Sequence, residues 1–126
     1  MTTKEHWKEE PDDHDYPAAH DYLTLVANEA TATVLVAALK AAPLTLRKAK
    51  DLLRASQLPP LSDGNAHVTK DLERVRAGGR LSPVLLVRGD IAKGRPLVIA
   101  DGYHRVCASH HLDEDADIPC HLVEMT

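Results

Sequence analysis

Aromatic residues are scarce in this chain. Its 126 residues hold one Trp, three Tyr and no Phe, so the core must be built from Leu, Val, Ile and Ala. The shortage also argues against stacking platforms for single-stranded nucleic acid. Cysteine is scarce too: two residues thirteen positions apart make no disulfide framework, and reduced thiols are expected. Long apolar runs are missing. The longest, Val34–Leu39, is six residues and far too short to cross a bilayer. The first residues are polar and acidic rather than charged-then-apolar, and the expectation is a cytoplasmic protein with no membrane contact. The length suits one domain with a modest core.

The net charge of −4 is unevenly spread. Residues 1–16 carry six acids against Lys4 and Lys8, whereas the other 110 residues hold 13 acids and 13 bases. Within that neutral body the bases lie between Lys40 and Arg105, and Asp113, Glu114, Asp115, Asp117 and Glu124 make the C-terminal end acidic. Residues 1–15 show no hydrophobic period and read as a disordered acidic arm, with Trp7 a candidate anchor for a partner.

Residues 16–57 read as an N-terminal helical extension. Pro17 suits a first helical turn with Asp15 favourable to the dipole, and Tyr22, Leu23, Leu25 and Val26 follow at amphipathic spacing to about Asn28. Val34, Leu35, Ala38 and Leu39 predict a second helix over 31–42, stopped by Pro43. Leu46, Ala49, Leu52 and Leu53 predict a third over 46–55, capped by Thr45, with Arg47, Lys48, Lys50 and Arg54 on its other face. Those bases read either as a solvated face or as part of an anion site. Two helices joined by a tight turn also suggest a DNA-binding unit, and the Ala-rich helices leave room for a homodimer.

Residues 58–126 change character. Val68, Leu72 and Val75 at i, i+4, i+7 predict a helix over 69–77 with a Gly78-Gly79 stop. Residues 82–87 (SPVLLV) read as a strand buried on both faces, pairing in a hairpin with residues 97–100. A further helix opens at Tyr103, and 118–124 is a last strand with Ile118, Cys120 and Leu122 on one side. The fold class is α+β, a small mixed sheet with flanking helices, and residues 16–126 are expected to form one compact unit.

The stretch richest in chemistry is LVIADGYHRVCAS, residues 97–109. A buried strand runs into a glycine turn and a helix N-terminus, where free N–H groups and the helix dipole favour an anion. Arg105 offers a fork of donors suited to phosphate. Asp101 reads either as a cap for the helix or as a carboxylate holding Mg²⁺ or serving as general base. His104 reads as a phosphate donor or catalytic group, or as a residue packed at the helix start. Tyr103 either meets a ligand or belongs to the core. Cys107, His110, His111, Cys120 and His121 lack zinc-like spacing, Cys107/His111 being the one i, i+4 pair.

The order helix, GG, buried strand, hairpin, DGYHR, helix and IPCHLV resembles the ParB/sulfiredoxin superfamily over slightly more than half of the chain. The resemblance implies that the glycine-led turn, Gly102 to Arg105, holds nucleotide phosphates. ATP, ADP or CTP with Mg²⁺ is then the implied ligand. Sulfiredoxins carry a catalytic Cys where this chain has Tyr103, so their repair reaction is not expected. ParB proteins have a Gly-Glu-Arg-Arg form, and free-serine kinases an Asp-Gly-His-His-Arg form closest to residues 101–105. Against the sulfiredoxin pattern His67 falls, across a two-residue insertion, where a phosphate-facing Lys is implied. Lys50 and Arg54 are further candidates to complete the pocket. The function this implies is phosphate or nucleotide binding, with phosphoryl transfer or nucleotide hydrolysis as the associated chemistry; the alternative is a non-catalytic DNA-binding or partition module.

Overall fold

The computed structural model describes residues 6–125. Among them are five α-helices and one four-stranded sheet: α1 (Asp15–Val26), α2 (Glu29–Ala41), β1 (Leu44–Lys48), α3 (Ala49–Ser56), α4 (Ala66–Arg76), β2 (Val84–Val87), β3 (Val98–Asp101), α5 (Tyr103–Leu112) and β4 (Asp117–Val123). The strand order is β1-β4-β2-β3. β2 and β4 run parallel at the centre, β3 returns antiparallel to β2 as the expected hairpin, and β1 pairs antiparallel with β4. The protein is therefore a mixed α+β fold.

Alternation along the strands divides the core in two. Val84 and Leu86 of β2, Ile99 of β3, and Ile118 and Cys120 of β4 face Leu52, Leu53, Val68, Leu72 and Val106 of α3, α4 and α5. Leu85, Val87, Ala100 and Val123 face Ala19, Leu23, Ala32, Leu35 and Leu39 of α1 and α2. All four residues of β2 are buried, because a central strand covered on both faces has no solvent side. The N-terminal helices are thus the second cover of the same sheet.

Three expectations are corrected. The helix predicted from Leu46 starts at Ala49, since residues 44–48 form β1 with Leu44 opposite His121 and Lys48 opposite Asp117. Without β1, the outer edge of β4 would lack a hydrogen-bonding partner, and this non-local demand overrides the local helical period. Leu46 is consequently 54% exposed rather than buried. A strand also separates the two helices read as a DNA-binding pair. Second, α1 buries Ala19 and Leu23 while Leu25 is 81% exposed, so the helix seats a narrower stripe than its apolar residues suggest. Third, residues 6–15 of the acidic arm are held against the body of the protein. Trp7 is 4% exposed within the α3–α5 side of the core, the backbone N–H of Lys8 donates to Leu81 O at 2.8 Å, and that of Leu81 donates to His6 O at 2.7 Å. Residues 1–5 of that arm lie outside the described residues.

The segregated charges meet in space. Lys50 pairs with Asp115 at 2.6 Å, Lys48 with Asp117 at 3.9 Å and Arg88 with Glu124 at 2.8 Å. The backbone N–H groups of Ala49 and Lys50 donate to the carbonyls of Ala116 and Glu114. The acidic loop thereby closes over the start of α3. Among the described residues no helix is long and apolar enough to cross a membrane.

Candidate phosphate-binding site

β3 ends at Asp101 and α5 begins two residues later, so Gly102 must reverse the chain within one residue. It does so at φ +109°, a left-handed backbone that disfavours any side chain. A Cβ there would also stand 2.9 Å from both Val84 Cγ2 and Arg105 Nη2. No side chain caps α5, which leaves first-turn N–H groups and the positive end of the dipole directed outward. Gly102→Ala is expected to cost about 2 kcal/mol or more from the backbone alone; urea melts check this, and a cost below about 0.5 kcal/mol would contradict the geometry.

Facing this turn is one side of α4. Asn65 caps that helix by accepting from the N–H groups of His67 and Val68, and Val68, Leu72 and Val75 are buried on one stripe. His67, Lys70, Asp71 and Arg74, at i, i+3, i+4 and i+7, lie on an adjacent stripe and line a cavity of about 250 Å³ with Asp101, Gly102, His104 and Arg105. The rings of His67 and His104 are 4.6 Å apart between centroids. Burial lowers the affinity of His104 for a proton, and the neighbouring His67 lowers it further. His104 is thereby biased towards the neutral form, which has one donor and one acceptor nitrogen. The side chains of Lys70 and Arg74 make no hydrogen bond or ion pair to another described residue.

The N-terminal segment closes the cavity from the other side. Asp12 and His14 line it, and Asp15, 1% exposed at the start of α1, points into the protein. Its Oδ2 accepts from the Asp12 backbone N–H at 3.1 Å and lies 3.7 Å from Arg105 Nη2. The same Arg105 nitrogen donates to Asp101 Oδ2 at 2.9 Å and to Pro83 O at 3.3 Å. One guanidinium thus joins β3, α1, α5 and the residue before β2. Burial raises the Asp101 carboxyl above its ordinary value, Arg105 opposes that rise, and the Asp15 carboxylate adds to it. Asp12, His14 and Asp15 also bring one metal-ligating atom each within 4.8 Å of one another, but Lys8 already binds Asp12 at 2.7 Å and Arg105 neutralises Asp15.

The sequence-derived candidates divide clearly. Asp101, Gly102, His104, Arg105 and His67 come together around this cavity. Lys50 and Arg54 do not: they border a separate groove with Leu53, Leu58 and His110, Lys50 held by Asp115 and Arg54 by Asp51 at 2.9 Å. Tyr103 turns away from the cavity, and its hydroxyl donates to Pro59 O while its ring packs on the core. Asp101 engages Arg105 instead of capping α5. Cys107 accepts from Leu61 N–H, and His111 Nε2 lies 2.7 Å from Leu61 O, so this i, i+4 pair fastens a loop. Sequence reading missed Lys70, Asp71 and Arg74, although their spacing from His67 on the stripe flanking Val68, Leu72 and Val75 was a usable signal. It missed Asp12, His14 and Asp15 as site residues, which no local pattern marks. Compared with family models, with curated proteins and with solved structures, the chain matches none of them.

Proposed function

We propose that this protein binds a phosphate-bearing small molecule, a nucleotide being the leading case, with its phosphates between α4 and the N-terminus of α5. The observation that carries this reading is the convergence of His67, Lys70 and Arg74 on an uncapped helix start in one cavity. Phosphate oxygens need several directed donors, and these groups supply them. A volume of about 250 Å³ falls below the roughly 300–1,000 Å³ of pockets that enclose whole drug-sized ligands. It suits the phosphate portion, with the remainder of the ligand extending outward.

The charge balance bears on the cofactor. Asp12, Asp15, Asp71 and Asp101 are matched in number by Lys8, Lys70, Arg74 and Arg105 around the cavity. A polyphosphate therefore brings negative charge that the fixed charges do not offset, and Mg²⁺ carried on the phosphates fits that deficit. Asp101 would face such a cation, which would supply electrophilic stabilisation of a phosphoryl group. His104, biased towards neutrality, supports the phosphate as a donor and is placed to exchange a proton with it, so phosphoryl transfer or nucleotide hydrolysis is the chemistry the site supports. The order of α4, β2, β3, DGYHR, α5 and β4 supports assigning residues 58–126 to the ParB/sulfiredoxin-like superfamily, with α1 and α2 as an added layer.

Calorimetric titration with ATP, ADP and CTP, each with and without Mg²⁺, tests the reading, with duplex DNA as the control ligand. Saturable heat is expected for at least one nucleotide. Lys70→Ala with Arg74→Ala should weaken it about tenfold or more, since hydrogen bonds to charged groups contribute roughly 1.5–3 kcal/mol. No saturable heat, or an unchanged affinity in the double variant, overturns it.

A further inference from the structure

Asp71 stands out in an anion site because it is an acceptor among donors. It lines the cavity from the same stripe of α4 as His67, Lys70 and Arg74, it is half-buried, and its side chain makes no hydrogen bond or ion pair to another described residue. A carboxylate so placed repels any fully ionised oxyanion brought against it. It welcomes one chemical feature, an O–H on the anion itself.

We propose that Asp71 is a specificity residue that selects a terminal, protonatable phosphate over sulfate and over internal phosphodiesters. Resting on the phosphate-site reading above, the assignment specifies which phosphate the site takes. A phosphomonoester or terminal phosphate has a second ionisation near pH 6, so it retains a hydroxyl hydrogen at modest cost close to neutral pH. That O–H donates to an Asp71 oxygen, while the remaining phosphate oxygens accept from Lys70, Arg74, His104 and the first turn of α5. The proton stays on the phosphate, and no bond is made or broken. Sulfate has the same shape and no proton to offer near neutral pH, so its oxygen meets the carboxylate lone pairs directly. A phosphodiester monoanion fails for the same reason. Rejection by an unmatched polar group is a stronger discriminator than any difference in size.

The surroundings of Asp71 agree with this role. The charged and titratable groups that act on it are Arg74 and His67 of its own helix and His104 and Arg105 of α5; all favour its ionised form, yet burial outweighs them and raises the carboxyl above its ordinary value. A half-buried carboxylate without a partner weakens the fold rather than supporting it. Its place in the cavity has a ready explanation in binding.

Competition between inorganic phosphate and sodium sulfate, measured by calorimetry near pH 7 on the full chain and on Asp71→Asn, tests the assignment. The wild-type protein should prefer phosphate by about tenfold or more. In Asp71→Asn, whose amide can donate to either anion, the two affinities should converge to within about threefold, chiefly through a gain for sulfate. Circular dichroism confirms that the variant is folded, and Asp71→Ser provides a smaller neutral side chain with the same expected convergence. Equal binding of both anions by the wild type overturns the role of Asp71 and leaves the phosphate site standing. So does a phosphate preference that survives in both variants. If neither anion binds the wild type, the site reading and the inference fall together.

Discussion

Arg105→Ala should destabilise the protein by about 3–5 kcal/mol, because it strands two carboxylates that share a single buried guanidinium. Asp15 and Asp101 have side chains 2% and 17% exposed, and Arg105 is 16% exposed. Water cannot replace the lost partner at Asp15, and Pro83 O loses its donor as well. In a chain of this size that loss lowers the melting temperature by roughly 10 °C or more. Thermal and urea melts read it directly. The cause can be separated from the loss of side-chain bulk: Arg105→Met should remain costly alone and recover part of the loss when combined with Asp15→Asn, since neutralising one stranded carboxylate removes part of the penalty. A cost below about 1 kcal/mol for Arg105→Ala would mean that the guanidinium is a solvated surface group. The same geometry changes the meaning of this residue. Its fork, read from the sequence as a phosphate ligand, is engaged chiefly by carboxylates, so its first contribution is to position α5 and the start of α1 around the cavity. In the proposed site, direct contact with phosphate would then fall to Lys70, Arg74 and His104.

Trp7→Ala should cost a similar amount, about 3–5 kcal/mol, as expected for removing a large aromatic from a packed core. Trp7 is 4% exposed among residues of α3, α4 and α5, and the bridge to Leu81 holds its backbone in place. Because its buried Nε1 has no hydrogen-bond partner, Trp7→Phe should lose far less, within about 1.5 kcal/mol. Being the only Trp in the chain, it also reports on itself: native emission should be blue-shifted and resistant to soluble quenchers. Unfolding of Trp7→Ala is followed by circular dichroism. A change within about 0.5 kcal/mol, the range of ordinary surface positions, would restore the acidic segment to a free arm. The larger effect would show that Asp12, His14 and Asp15 reach the cavity through an anchored segment.

Much of the architecture was legible because it depends on patterns confined to a few neighbouring residues. The stripe Val68, Leu72 and Val75, the Gly78-Gly79 stop and the uninterrupted apolar run of β2 each specify their own element. Gly78 takes φ +83° and Gly79 N–H bonds back to Arg74 O. Residues 44–48 were illegible for the opposite reason: their fate is set by the unsatisfied edge of β4, about seventy residues away. Pattern reading also took the acidity of residues 6–15 for solvation. One Trp at the right depth outweighs that composition, since burying a large ring contributes several kcal/mol.

The candidate site divides along the same line. By itself the sequence determined the strand–DGYHR–helix corner: Asp-Gly at a strand end forces a left-handed residue, and the following helix must then present its N-terminus there. His67 and the α4 stripe were also written locally, in a period of 3.6. Only the tertiary structure decided that α4 lies across from that corner and that Lys50 and Arg54 are drawn off to Asp115 and Asp51. It alone turned Tyr103 aside to Pro59 and carried Asp15 to Arg105 across ninety positions of chain. The physical reason is that a local pattern fixes the shape of a segment and the face it buries. Which charges meet across the gap between segments depends on how the two halves of the core seat against one sheet.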